Sequence, residues 1–140
     1  MRVSQLHPIS RKHGAATVEL ALVLPVLALF FAIAVDFSRA YQHLEEISDS
    51  ARRGALYLAD VYVQQASPYE TLEEAALAET QVIRESATVE SRTTTDTRGN
   101  PCIEVTVTSP FNTIIPVPGM QQSFPLSRSV QMRMRIVEEP

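Results

Sequence analysis

Glu19 is the residue in this 140-residue chain whose position most needs a chemical explanation. It lies inside VELALVLPVLALFFAIAV, the run from Val18 to Val35, which is otherwise interrupted only by Pro25. A charged side chain in hydrocarbon costs about 2.5–3.5 kcal/mol at mid-helix and less toward the end of a span. Something of opposite charge should meet it. Gly14 stands five residues earlier, behind the basic residues Arg2, Arg11 and Lys12.

Other reactive side chains are sparse. His7 and His13 precede the apolar run, so His43 is the one histidine beyond it, expected on a solvated helix face among Tyr41, Gln42 and Glu45. With Cys102 far away in sequence, it makes weak material for a nucleophile–base pair or a zinc site. Glu45, Glu46 and Asp49 can approach a metal, but an acidic helical face is ordinarily just solvated. No glycine-rich phosphate loop occurs. The expectation is a protein that is not an enzyme, with no cofactor, no metal and no small-molecule substrate. The formal net charge of −4, with no basic patch to neutralise phosphates, gives no reason to expect nucleic acid as a partner. A single cysteine excludes an intramolecular disulfide; Cys102 is either a partly buried thiol or, in an oxidising compartment, half of an intermolecular bridge.

The element that must carry Glu19 is a membrane helix. From Ala15 to Val35 the run matches the ~20 residues needed to cross a bilayer and is apolar all round, unlike the one-sided helices of soluble domains. Arg2, Arg11 and Lys12 before it, against Asp36 after it, place the N-terminus in the cytoplasm and the rest of the chain outside, with Arg39, Arg52 and Arg53 weakening the contrast. Ala32 and Ala34 could form a signal-peptidase site. Against that reading stand Glu19 in the apolar core and a helical stripe, Phe37, Tyr41, Leu44, Ile47, Ala51, Ala55 and Leu58, running through the would-be cut. Pro25 removes a backbone donor and crowds the carbonyl of Ala21, so a kink is expected there.

At 45% apolar and 20% charged residues, the chain can build a core after this anchor. Ser67, Pro68 and Glu70 read as the capped start of a second helix from about Pro68 to Ser86, burying Leu72, Ala75, Ala76, Val82 and Ile83, with Glu79 on the wrong face. Thr88 to Thr97 then reads as an edge strand leading into the turn Arg98-Gly99-Asn100-Pro101. Residues Ile103 to Thr108 and Val130 to Ile136 alternate as half-buried strands. Prolines 110, 116, 118 and 125 argue against regular structure over much of Pro110 to Pro125, where Ile114 and Ile115 are either an exposed patch or a loop folded over the sheet. The expected fold class is α+β: a leader (residues 1–14), a transmembrane helix (15–35), and an exported domain (36–140). In that domain the long helix continues as an amphipathic one beside a second short helix and a three-stranded antiparallel sheet.

Cutting after Gly14, a residue without a Cβ to hinder a protease, would create an amino group on Ala15 at the membrane depth of a neighbour's Glu19. This arrangement is that of type IV pilin-like proteins. The segment GAATVELALVLPVLALFFAIAVDFSRA closely resembles the N-terminus of TadE-like pseudopilins of tight-adherence (Flp) pilus systems, through Glu19, the Leu-Val-Leu-Pro stretch ending at Pro25, the Asp36-Phe37 pair, Arg39 and Ser50-Ala51-Arg52-Arg53-Gly54-Ala55. The resemblance covers about the first third of the chain; Leu20 stands where relatives often carry an aromatic residue. It implies a minor pilin or pseudopilin of the inner membrane that contributes to pilus assembly and surface attachment. Implied partners are a prepilin peptidase, other pilins or pseudopilins and the assembly platform. Implied sites are Gly14 and Ala15 for processing, and Ala15 with Glu19 for subunit pairing. Uncleaved relatives share the pattern, so the cut itself stays open. The alternative is an anchored adhesion or envelope-binding module unrelated to pili.

Overall fold

A computed structural model describes residues 12–115, 119 and 121–135. Arg2 and Arg11 of the leader, Pro116, Pro118 and Ile136 lie outside the described residues. Helix α1 spans Lys12–Ala59 and contains Pro25. It is followed by α2 (Val61–Ala66), α3 (Leu72–Leu77), and strands β1 (Thr88–Thr95), β2 (Pro101–Asn112) and β3 (Ser123–Arg133). The chain divides into two compact units between Val35 and Asp36.

In the first unit, α1 alone exposes its apolar side chains, with Leu22 and Phe31 bare among them. It is the one helix among the described residues long and apolar enough to cross a membrane.

In the second unit the three strands form an antiparallel sheet in the order β1-β2-β3. Alternation along β2 sends Ile103, Val105 and Val107 to the face that packs with Ile47, Ala51, Ala55 and Ala59 of α1 and with Ala76, Leu77, Ile83 and Ala87. Val130 and Met132 lie opposite Val105 and Ile103 and pack against that core. The other face is polar: Arg92 pairs with Glu104 at 2.7 Å, and Thr106 and Ser129 share a hydrogen bond of 2.7 Å. The expected faces of β2 and β3 are therefore observed.

Four expectations need correction. The helical stripe holds from Ile47 on, with Ile47, Ala51 and Ala55 buried and Leu58 packed against the core, but Phe37 and Tyr41 are exposed, and His43, Ser50, Gly54, Tyr57 and Ala59 are buried as well. Between Ser50 and Ala55 the buried positions are small because the sheet comes close to the helix there. A Cβ on Gly54 would lie 3.1 Å from Leu72 Cδ1 and from Val105 Cγ1.

The second helix is one and a half turns, Leu72–Leu77, instead of Pro68 to Ser86. Ser67 does accept an N–H, that of Tyr69, but only to form a turn. The capping box is Thr71 with Glu74: Thr71 Oγ1 takes the Glu74 N–H, while Glu74 accepts the N–H groups of Glu70 and Thr71. At the far end the Thr80 hydroxyl donates to the Leu77 carbonyl, so the chain turns there. Ile83 still reaches the core from that turn, whereas Val82 is 68% exposed and Glu79 pairs with Arg53. A separate helix, α2, was not anticipated; Asp60, in extended conformation, ends α1 and caps α2 by accepting the Tyr62 N–H.

The third correction concerns proline. Strands β2 and β3 run through Pro110 and Pro125, which face each other in register. Strand β1 pairs with β2 only as far as Thr108, and β3 is an edge strand. Neither proline is therefore asked for an N–H by a neighbour. Finally, β1 stops at Thr95 because Asp96 gathers the N–H groups of Arg98 and Asn100, the Asn100 amide and Arg133, closing the hairpin over Gly99 at φ 81°. These bonds, those of Asn100 foremost, hold the Asp96 carboxyl well below the usual carboxylate range.

Candidate functional site

Gly14, Ala15 and Glu19 lie in the first turns of the described part of α1, all exposed. Ala15 and Glu19 are four residues apart and so share a helix face. Among the described residues, nothing outside the adjoining helix backbone lies within 4 Å of the place a Gly14 Cβ would occupy. Pro25 sits inside the same helix.

A second constellation belongs to the unit beginning at Asp36. The Asp36 carboxylate accepts the backbone N–H groups of Ile114 and Ile115 at 3.1 Å and the guanidinium of Arg39 at 3.0 Å. The Ile114 bond is the main cause holding this carboxyl below its ordinary value, against the opposing effect of desolvation. Arg39 also stands 5.4 Å over the ring of Phe111 and reaches the Asn112 carbonyl at 3.5 Å. Ile114 is left 63% exposed, so the expectation of a loop folded over the core fails for this residue.

One turn further on, His43 corrects the expectation of a solvated position. It is buried, its ring meets Phe111 edge-on at 5.7 Å, and its Nε2 shares a 3.1 Å hydrogen bond with Ser109 Oγ. Ser109 Oγ shares another, of 3.2 Å, with Ser86. Burial lowers the His43 pKa, Glu46 opposes that shift and Arg39 adds to it. An open cleft of about 400 Å³ runs along these groups, lined by Arg39, Gln42, His43, Glu46 and Phe111 among others. A histidine bonded to a serine is half of a nucleophilic pair, but Ser109 is fully buried and its hydroxyl is shared between two neighbours. Chemically the chain Ser86–Ser109–His43 joins α1, β2 and the turn before β1.

The structure thus assigns structural tasks to residues that carry the family resemblance. Asp36 and Arg39 hold the end of β2 and the loop after it; Ser50, Ala51, Gly54 and Ala55 form the seat of the sheet; Arg53 reaches the Ala76 carbonyl and Glu79. His43 was missed, and the signal for it was the spacing His43, Ile47, Ser50, Ala51, Gly54, Ala55, a tighter helical stripe than the one built on large side chains. Cys102 is a buried thiol, 3% exposed, directed at the Asn100 carbonyl. Among the described residues no group of three or more His, Cys, Asp or Glu could hold a metal ion, Glu45, Glu46 and Asp49 included.

No curated protein and no solved structure matches the chain. The family model described as TadE-like protein matches residues 14–56, a range that takes in Gly14, Glu19, the apolar run, Asp36, Arg39 and most of the helix face seated against the sheet. Residues 14–56 are thus similar to TadE-like proteins, a likeness that suggests a protein associated with a tight-adherence pilus.

Proposed function

We propose that the chain is a membrane-anchored minor pilin or pseudopilin that contributes to assembly of a tight-adherence pilus and to surface attachment, by helix packing and surface contact rather than catalysis. The observation that carries this reading is the TadE-like match over residues 14–56, which contains both the Gly14 to Glu19 spacing and the helix face that seats the sheet. In this reading residues 15–35 cross the inner membrane, the N-terminus is cytoplasmic, and residues 36–140 lie outside. A prepilin peptidase cuts after Gly14, and the new amine of Ala15 meets Glu19 of a neighbouring subunit, where low dielectric strengthens the attraction and penalises either charge alone. The open space around Gly14 supports access by such a peptidase. Intact-mass analysis of membrane-extracted protein tests the cut: a chain beginning at Ala15 is expected. Gly14→Leu should leave the full-length mass. An uncut wild-type chain in cells with an active prepilin peptidase would contradict the processing step.

A further inference from the structure

Asp36 follows Val35, the last residue of the apolar run, and a helix advances about 1.5 Å per residue. Whatever the Asp36 carboxylate holds stands close to the end of that run. It holds backbone: the N–H groups of Ile114 and Ile115, each at 3.1 Å, while Arg39 reaches the carbonyl of Asn112. Gripping a loop by its main chain leaves the side chains outward, and Ile114 is 63% exposed. Phe37, the residue after Asp36, is 75% exposed. Single exposed apolar residues are ordinary on protein surfaces. Here a carboxylate whose side chain is 13% exposed is devoted to fixing the backbone of one such residue, directly after the apolar run in sequence. From Asn112 to Ser127 the sequence carries no charged residue, so no ion pair or strongly hydrated group opposes an apolar surrounding.

Taking residues 15–35 as the membrane anchor, as proposed above, we infer that the start of the β2–β3 connection is a second lipid contact. Ile114, with Ile115 beside it, inserts at the boundary between headgroups and acyl chains, the zone that amphipathic surface elements occupy. Phe37 belongs to the same zone, where aromatic residues flank membrane spans. The ligand is the uncharged apolar part of the lipid surface. Arg39, the cation closest in sequence to the end of the run, is engaged by Asp36, Asn112 and Phe111, so the contact does not depend on anionic headgroups and is insensitive to salt.

The chain contains no tryptophan, so a single introduced one reports its own surroundings. The full chain carrying Ile114→Trp is reconstituted into phosphatidylcholine vesicles, with and without lipids that carry bromines both near the headgroup and deep in the acyl chains. Leu24→Trp in the apolar run and Ser129→Trp on the polar sheet face serve as references. Loss of most emission is expected for Leu24→Trp and Ile114→Trp and none for Ser129→Trp, with Ile114→Trp unchanged at high salt. Adding Asp36→Ala to Ile114→Trp should restore most of the emission, and Asp36→Asn part of it. If Leu24→Trp is quenched while Ile114→Trp is not, the loop contact is wrong and the anchor stands. Equal quenching of Ser129→Trp, or quenching of Ile114→Trp untouched by Asp36→Ala, would also overturn it. An unquenched Leu24→Trp would remove the anchor and the contact together.

Discussion

Replacing Gly54 by alanine sets two effects against each other. In a helix interior alanine is favoured over glycine by about 1 kcal/mol. At this position, however, the new Cβ would stand 3.1 Å from Leu72 Cδ1, 3.1 Å from Val105 Cγ1 and 3.2 Å from Ala76 Cβ. Carbon pairs attract best at about 3.5–4.0 Å, so all three contacts are compressed. Leu72 is half-buried and can swing aside. Val105 and Ala76 cannot: both are fully buried, one in the central strand and the other with its Cβ fixed to the backbone of α3. Overpacking of this kind costs about 1–3 kcal/mol, which outweighs the helix preference, so Gly54→Ala should destabilise the Asp36–Pro140 unit by up to about 2 kcal/mol. The measurement is the urea midpoint for protease resistance of the full chain in mild detergent. Adding Leu72→Ala, which removes one of the three contacts, should lessen the cost of Gly54→Ala relative to its cost alone. A higher midpoint for Gly54→Ala than for the parent would refute the close seating of the sheet on α1.

Further outcomes follow from the same packing. Val105→Asp places an unpaired charge in the core and should cost more than about 3 kcal/mol, whereas Thr106→Asp on the polar face should stay within about 1 kcal/mol; equal shifts in urea midpoint would mean the faces are exchanged. His43 titrates below its ordinary value of 6.5 because burial opposes its charge. The unfolded chain then binds the proton first, so stability should be full above pH 6.5 and fall as pH drops below it. His43→Gln should flatten that decline in a pH series of urea midpoints. The lowered carboxyls of Asp36 and Asp96 act only further down, where pH falls through the ordinary aspartate value of 3.8; a profile flat from pH 7 to about 5 would refute the buried neutral His43.

The sheet was legible because its inner residues alternate without interruption: Ile103, Val105 and Val107 on β2, then Val130 and Met132 on β3. The long apolar helix was legible because composition alone marks it. What sequence obscured was decided by neighbours. Pro110 and Pro125 break a strand only where an adjacent strand needs their N–H, and the place where β1 stops is not written in local sequence. The capping box at Thr71 competes with a plausible one at Ser67, and the choice follows from burying Ala75, Ala76 and Leu77. His43 reads as polar, and only the small residues below it on the helix show that this face meets another surface. Gly14, Ala15 and Glu19 are different in kind. They pack against nothing in the described chain, so their meaning rests on sequence pattern and on what meets them from outside.

The central claim is that Glu19 serves a neighbouring subunit, and it is tested most directly by pilus incorporation of Glu19 variants. Glu19→Ala and Glu19→Gln are compared with the parent in cells carrying the complete pilus system, scoring processed protein in the membrane fraction and protein in sheared filaments or the purified assembly complex. Glu19 is exposed on a helix and, among the described residues, supports no fold contact, so insertion and cleavage after Gly14 should persist in both variants. Incorporation should be lost in Glu19→Ala and nearly as much in Glu19→Gln, which keeps the shape and removes the charge. Wild-type incorporation of both variants would contradict the pairing and leave Glu19 as a carboxylate that the membrane boundary merely tolerates.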